Sequence, residues 1–443
     1  MVSAPRQFAS RFLRTAAQPG DFAEHRLESD PGFCALRPAD RRLAQELILG
    51  VLRWRVTLDW LVARRTGGRG QEPAVQDLLR LGLYQLFWLD RVPDHAVVHD
   101  AVQLCRNAGL TRQSGFVNAL LRGCIRERDA IRAALSELRA SDPATAGSHP
   151  AWLVERWRGR MDPESLARLL EWNNTPPPTW ARVNTLRTTA GALEALWNAE
   201  GVAYRGREFP WAPSARLFEL QGHPPLGSLR SFTEGGFYIQ DPSTLMAVRE
   251  LNPLPGERIL DLCAAPGGKT TYIAQCMGNT GRIVAHDPSA SRLELLRENC
   301  IRLGVTTVEA VTELPPPAAD ADGVLVDAPC SNTGVLRRRV ESRWRLLPEE
   351  LPRLAGRQLD ILRDAALRVR PGGRLVYSTC SLEPLENRGV VDRFLEESPE
   401  FVLESERLLH PVTDAVDGAY AARLRRRGGL EPGPVAMPSS PAG

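Results

Sequence analysis

The chain has 443 residues, a formal net charge of +3 and eight cysteines. It is long enough for two or three domains, and its charge is too small to imply nucleic acid by itself. A run of about 18 apolar residues, as a membrane helix would need, is missing, and the first residues, Met-Val-Ser-Ala-Pro-Arg-Gln-Phe, have no apolar leader segment. A cytoplasmic protein without a membrane span is therefore expected, and cysteines scattered at 34, 105, 124, 263, 276, 300, 330 and 380 predict neither a disulfide framework nor a zinc site.

Residues 1–142 read as helices almost throughout. Apolar side chains recur at helical spacing in 41–52, 75–89 and 116–125, which predicts an all-α bundle. Cys34, Cys105 and Cys124 fall in or beside these runs and read as small core or surface residues. His95 and His99 are four apart, yet no set of acids and histidines accompanies them, so they are taken as helix residues and no metal is expected. Arginine outnumbers acid over the first 150 residues. Further basic clusters stand at Arg337, Arg338, Arg339, Arg343 and Arg345, and at Arg423, Arg425, Arg426 and Arg427. Such clusters are solvated faces or, beside a nucleotide site, phosphate contacts.

Small and turn-forming residues at 141–149 mark a boundary. Residues 143–237 then mix a helix at 151–172, a break at Asn174-Thr-Pro-Pro-Pro178, a strand at 180–183 and a helix at 189–200, which predicts a small α+β module. A third domain is predicted at 238–427. It begins with a helix at 240–251 and alternates strands at 259–262, 282–287, 305–311, 323–327 and 373–379 with helices at 289–303 and 349–369. This rhythm implies a mostly parallel α/β sheet of Rossmann-like type, with ligands at the carboxyl ends of its strands. The segment 428–443 is rich in Gly, Pro and Ser and is expected to be an unstructured tail.

The centre of the third domain is 259–270, Ile-Leu-Asp-Leu-Cys-Ala-Ala-Pro-Gly-Gly-Lys-Thr. A buried strand enters a turn in which Gly267 and Gly268 allow close backbone approach, and a helix N-terminus follows. Lys269 is the only lysine in the chain, which suggests a need for a compact ammonium where a planar guanidinium would not fit. A phosphate-binding Walker loop competes for this stretch, since Gly268-Lys269-Thr270 matches its end. Cys263 replaces the first glycine of that pattern, and Pro266 removes a backbone donor. The other reading is a nucleoside held without its phosphates, with Asp287 at the end of the next strand reaching the ribose hydroxyls.

Two more strand ends carry cysteine: Val324-Leu-Val-Asp327 leads to Ala-Pro-Cys330-Ser, and Leu375-Val-Tyr-Ser-Thr379 leads to Cys380-Ser. A pair of thiols above a nucleoside site has a specific use. Adding a thiolate to carbon 6 of a pyrimidine makes carbon 5 enamine-like and able to accept a methyl group, and a second group must then help release the thiolate. The attacking sulfur has to be ionised, so electropositive surroundings are expected, with Lys269 the nearest candidate. Cys276 and Cys300 lie at apolar phases within helices and read as structural.

Asp261-Leu-Cys-Ala-Ala-Pro-Gly-Gly-Lys269, Asp327-Ala-Pro-Cys330 and Ser378-Thr-Cys-Ser381, in this order, resemble the RsmB/NOP (Nol1/Nop2/Sun) family of RNA 5-methylcytosine methyltransferases. The start of the chain, including Arg53-Trp54-Arg55, His95-Ala-Val-Val98 and Phe116-Val-Asn-Ala-Leu-Leu-Arg122, resembles a NusB-type RNA-binding domain. Asp417-Gly-Ala-Tyr-Ala-Ala-Arg-Leu424 resembles the family's last motif. The resemblance implies a class I, S-adenosylmethionine-dependent enzyme acting on cytosine of small-subunit (16S) ribosomal RNA, expected here as a monomer. It further implies that Cys380 is the nucleophile, that Cys330 aids release, that Asp327 binds the cytosine edge and that Pro329 shapes the base pocket. Cys263, Ala264, Ala265, Pro266, Gly267, Gly268, Lys269, Asp287 and Asp327 would surround the cofactor. The chain departs from the family pattern at Asn332, where glycine is common, and at 308–313, where an aspartate usual after the third strand is missing. An RNA-binding or assembly factor with a vestigial methyltransferase domain is the alternative from another class. An amino-group methyltransferase is disfavoured, because Asp-Ala-Pro-Cys stands where such enzymes carry Asn/Asp-Pro-Pro-Tyr/Phe.

Overall fold

The computed structural model describes residues 2–15, 22–212 and 216–428, without the side chains of 24 and 25. The tail expected at 428–443 lies, from 429 onward, outside the described residues. Two compact units are present, the first comprising Met1–Pro177 with Val335–Pro348 and the second Pro178–Gly334 with the residues from Glu349 on.

The first unit is helical, as the periodicity predicted. Its main helices include Ala4–Arg14, Pro38–Arg53, Arg55–Thr66, Pro73–Trp88, Asp94–Asn107, Ser114–Arg126 and Arg128–Ser141. Proline begins several of them, where its missing N–H is harmless. Leu47, Ile48, Leu58, Leu79, Val97, Val117 and Leu121 meet in a fully buried core. The single helix expected at 151–172 is two helices, Ala151–Arg158 and Pro163–Asn174. Asp162 ends the first run by capping the second, accepting the Ser165 N–H at 2.9 Å.

A distant piece of chain completes this unit. In Val335–Pro348, Arg343 is wholly buried and donates to Asn174 Oδ1 and the Asn173 carbonyl at 2.8 Å each, and to the Ser148 carbonyl at 3.1 Å. Arg337 lies 3.9 Å over the Trp172 ring, and Trp344 Nε1 donates to the Leu52 carbonyl at 2.8 Å. The expected basic face at 337–345 is thus corrected. Arg337 and Arg343 are interior residues, because a guanidinium's fixed fork of donors can satisfy several carbonyl oxygens at once.

The second unit contains two sheets. Four antiparallel strands, β1 (Thr179–Val183), β2 (Ala203–Arg207), β3 (Leu217–Gly222) and β4 (Phe237–Ile239), are ordered β2-β3-β1-β4. They pack on the helix Ala190–Glu200 through buried Trp197, whose ring lies 5.2 Å from those of Phe218 and Phe237. The larger sheet holds β5 (Arg258–Leu262), β6 (Arg282–His286), β7 (Val308–Val311), β8 (Ala321–Asp327), β9 (Val369–Thr379), β10 (Phe401–Leu409) and β11 (Ala419–Arg426), in the order β10-β11-β9-β8-β5-β6-β7. β7 through β9 are mutually parallel by way of β6, β5 and β8, while β11 and β10 continue the sheet past β9 with two antiparallel strands that the sequence did not predict, β10 forming the edge. The predicted helix at 240–251 is shorter, Leu245–Leu251, preceded by a tight turn at Pro242–Thr244. The order reverses at β5, with β6 on one side and β8 on the other. In such sheets ligands bind beyond the strand ends at that point.

Candidate functional site

The turn after β5 is built for close approach. Cys263 has φ 64° and Gly267 φ 102°, and a Cβ on Gly267 would come within 3.0 Å of Leu296, so only glycine fits. The loop faces outward through its carbonyls: Arg292 donates to Ala265 O, and Asn299 Nδ2 donates to Pro266 O at 3.1 Å. Behind the following helix, Gly268–Cys276, buried Arg182 of β1 donates to Gly268 O at 3.0 Å and to Gln240 Oε1 at 2.6 Å. Burial pushes the Cys263 thiol up to about 12, which leaves it inert as a nucleophile.

Two carboxylates stand beside this turn, Asp261 within β5 and Asp287 just after β6. Asp261, fully buried, accepts the Thr270 hydroxyl at 2.6 Å, and burial raises its pKa to about 7. Asp287, also fully buried, follows β6 and accepts the Ser289 N–H at 3.0 Å. Its Oδ2 lies 2.9 Å from Arg292 Nη1 but, like Asp261 Oδ1, has no directed hydrogen bond among the described residues. A buried acceptor of this kind is costly unless a donor reaches it, and the hydroxyl and amino groups of a nucleoside are such donors. The residues present therefore fit the cofactor that the resemblance implies. β7 ends on Val311 and is followed by Thr312 and Glu313 rather than by an aspartate.

At the other side of β5, Asp327 and Ser378 sit opposite one another at the ends of parallel β8 and β9. Ser378 Oγ donates to Asp327 Oδ1 at 2.9 Å, and Lys269 Nζ meets Asp327 Oδ2 at 2.6 Å. Burial works against the lysine charge, but Asp327 outweighs it and holds the ammonium above the ordinary range. The only lysine is thus paired with Asp327.

The two cysteines follow these strand ends, and their Sγ atoms are 3.3 Å apart. The hydrogen bond to Cys380 and burial, with the nearby Glu386 charge, hold the Cys330 thiol well above its ordinary range. The two thiols are close enough for either to donate to the other. Asn332 Oδ1 stands 3.4 Å from Cys380 Sγ, and its Nδ2 donates to Cys330 O at 2.9 Å. With φ 61°, Asn332 occupies a left-handed position, where asparagine is the best substitute for glycine. Its presence in place of the family's glycine is accounted for. Beneath the pair, Gly334 donates to Cys380 O at 2.9 Å, and the Gly418 N–H donates to Gly334 O at 2.8 Å. This contact gives the 417–424 motif its place against the cysteine loops. Pro329 is half-buried, and its carbonyl accepts Gln358 Nε2 at 3.0 Å.

The residues singled out for cofactor and thiol chemistry stand at the carboxyl ends of the parallel strands β5, β6, β8 and β9. Sequence reasoning missed Ser378, Arg292, Arg182 and Glu386. Ser378 was within reach, as it stands directly opposite Asp327. The other three act through tertiary contacts that no local pattern announces. Among the described residues no group of three or more His, Cys, Asp or Glu side chains could hold a metal, and no helix is long and apolar enough to cross a membrane.

Comparison with known proteins covers most of the chain. Residues 248–425 match the family described as 16S rRNA methyltransferase RsmB/F, residues 3–126 match the NusB family, and residues 149–217 match an RsmF/B-like ferredoxin-like domain. The probable ribosomal RNA small subunit methyltransferase B of Bacillus subtilis is 35% identical over 377 residues, 83% of this chain and 82% of its own. Its counterpart in Synechocystis sp. is 36% identical over 417 residues, 90% and 91% of the two chains. A solved methyltransferase homolog from Pyrococcus horikoshii superposes with a TM-score of 0.56 at 30% identity, covering 64% of this chain and 98% of that one.

Proposed function

Since the chain belongs to the RsmB/F family of 16S rRNA methyltransferases, we propose that it methylates carbon 5 of a cytosine in 16S ribosomal RNA through a covalent bond from Cys380 to carbon 6. The observation that carries this reading is the 3.3 Å approach of Cys330 and Cys380 beside Asp327 at the mouths of β8 and β9. S-adenosylmethionine, when bound, supplies an electrophilic methyl group. The turn from Cys263 to Lys269 would cradle it, and Asp287, just beyond β6, would accept its ribose hydroxyls.

The chain's own residues carry the rest. The Cys380 thiolate bonds to carbon 6, and the electron pair of the 5,6 double bond moves onto carbon 5, which takes the methyl group. Solvent water takes the carbon-5 proton, the C–H electron pair restores the 5,6 double bond, and the bond from carbon 6 to sulfur breaks with its pair leaving on Cys380, which becomes a thiolate again. Cys330 serves this last step, because its thiol is placed to hydrogen-bond the departing sulfur. Asp327, held by Lys269 and Ser378, presents its carboxyl group to the cytosine edge, and Pro329 shapes the pocket. Residues 1–142 place the RNA, 143–237 assist them, and 238–427 carry out the transfer, in a cytoplasmic monomer.

Denaturing electrophoresis with the RNA substrate tests the assignment. Cys380→Ala should abolish methylation and form no protein–RNA adduct, whereas Cys330→Ala should accumulate an adduct that survives denaturation. Adduct from Cys380→Ala alone would exchange the two roles. Normal turnover by both variants would exclude the mechanism.

A further inference from the structure

Each cysteine is followed by a serine, and Ser331 and Ser381 are 4% and 0% exposed. Both turn toward one carboxylate. Glu386 is fully buried; its Oε1 accepts the Ser331 N–H and Gln358 Nε2 at 2.9 Å each, and its Oε2 accepts the Ser381 hydroxyl at 2.6 Å together with that of Ser331. Gln358 is held in turn by Tyr377, whose hydroxyl donates to Gln358 Oε1 at 3.1 Å. The network closes between the loops, since the Ser331 and Ser381 hydroxyl oxygens are 3.1 Å apart and Thr333 Oγ1 is 3.1 Å from Ser381 Oγ.

Burying a carboxylate is expensive unless its acceptor sites are matched, and here both oxygens are matched twice. One of these donors comes from the Cys380 loop, and two come from the Cys330 loop. We propose that Glu386 is a positioning residue for the reaction: by bonding Ser331 and Ser381 at once, it locks the two cysteine loops together and keeps Cys330 Sγ within reach of Cys380 Sγ. The inference rests on the roles given above to the two thiols, although the geometry it describes can be measured without them. Reacting groups must be held closely, because a displacement of about 1 Å can cost about a hundredfold in rate. A carboxylate is not the only group that would serve. In Glu386→Gln the amide oxygen can still face the Ser331 N–H and Gln358, and the amide nitrogen can donate to two hydroxyls that are free to rotate.

Phenylarsine oxide reports the spacing directly in the full-length protein, because the arsenical binds two neighbouring thiols far more tightly than one. Wild-type protein should retain one arsenical that Cys380→Ser does not. Glu386→Ala should lose that arsenical and about tenfold or more of kcat, while its affinity for S-adenosylmethionine by calorimetry stays at the wild-type value. Glu386→Gln should retain the arsenical and recover most of the turnover. Wild-type capture and turnover in Glu386→Ala would overturn the proposal, as would a matching loss of S-adenosylmethionine affinity, which would mark general support of the fold. If Glu386→Ala does not fold, the double variant Ser331→Ala/Ser381→Ala removes the clamped hydroxyls and keeps the carboxylate. Unchanged capture and turnover there would equally sink the idea. Should Cys330→Ala and Cys380→Ala both turn over normally, the thiol mechanism fails, whatever the arsenical shows of the clamp.

Discussion

Lys269 Nζ stands 2.6 Å from Asp327 Oδ2, so the first turn of the helix after the glycine loop is tied to the mouth of β8. The pair links the half of the site suited to the cofactor with the half that holds the thiols.

Replacing Lys269 should therefore damage the reaction more than the fold. A guanidinium is broader than an ammonium and cannot take its place beside Asp327 and Ser378 without moving one of them. Lys269→Arg and Lys269→Ala should each lower kcat on the order of a hundredfold, measured as methyl transfer to ribosomal RNA. A near-normal rate for the arginine variant would show that charge alone is required.

Asp261 should leave a mark on stability as pH changes. Its folded pKa is raised to about 7 from 3.8 because burial favours the neutral acid. A raised pKa means that its stabilising contribution is complete below pH 3.8 and is lost as pH rises toward 7. Relative to Asp261→Asn, which stays neutral, the wild type should lose roughly 4 kcal/mol of unfolding free energy between those limits. Urea titrations of both proteins across that range check this, and parallel curves would mean that Asp261 is ionised throughout.

Arg343 should matter to the helical unit although it lies far along the chain from it. Its donors satisfy Asn174 Oδ1 and the carbonyls of Asn173 and Ser148, and each buried acceptor left unmatched costs about 1–3 kcal/mol. Arg343→Met should lower unfolding free energy by about 3 kcal/mol or more without changing S-adenosylmethionine affinity. A surface arginine would give less than about 0.5 kcal/mol, and that result would contradict the burial described here.

The parts that sequence reasoning reached share a physical signature. β5, β8 and β9 are covered on both faces and read as short apolar runs, and each opens into residues with distinct chemistry: the glycine turn, Asp-Ala-Pro-Cys and Thr-Cys-Ser. β10 and β11 gave no such signal. Much of β10 is exposed, and β11, Ala-Tyr-Ala-Ala-Arg-Leu-Arg-Arg, is rich in alanine and arginine, poor strand formers that pairing with β9 and β10 overrides. Arg337 and Arg343 read as surface because a run of arginines normally is. Glu386 was hidden for the same reason, since a lone glutamate near a helix start looks solvated until its four donors are seen.

The placement of Val335–Pro348 has a consequence for how the protein is made. A ribosome delivers the chain from its N-terminus, and domains generally fold as they emerge. The helical unit cannot finish in that order. Arg337, Arg343 and Trp344 reach it only after β5 to β8 have been synthesised, so its last interior side chains arrive when the glycine turn and the Cys330 loop are already outside the exit tunnel. Neither unit is a cassette that recombination could move as one uninterrupted stretch of gene.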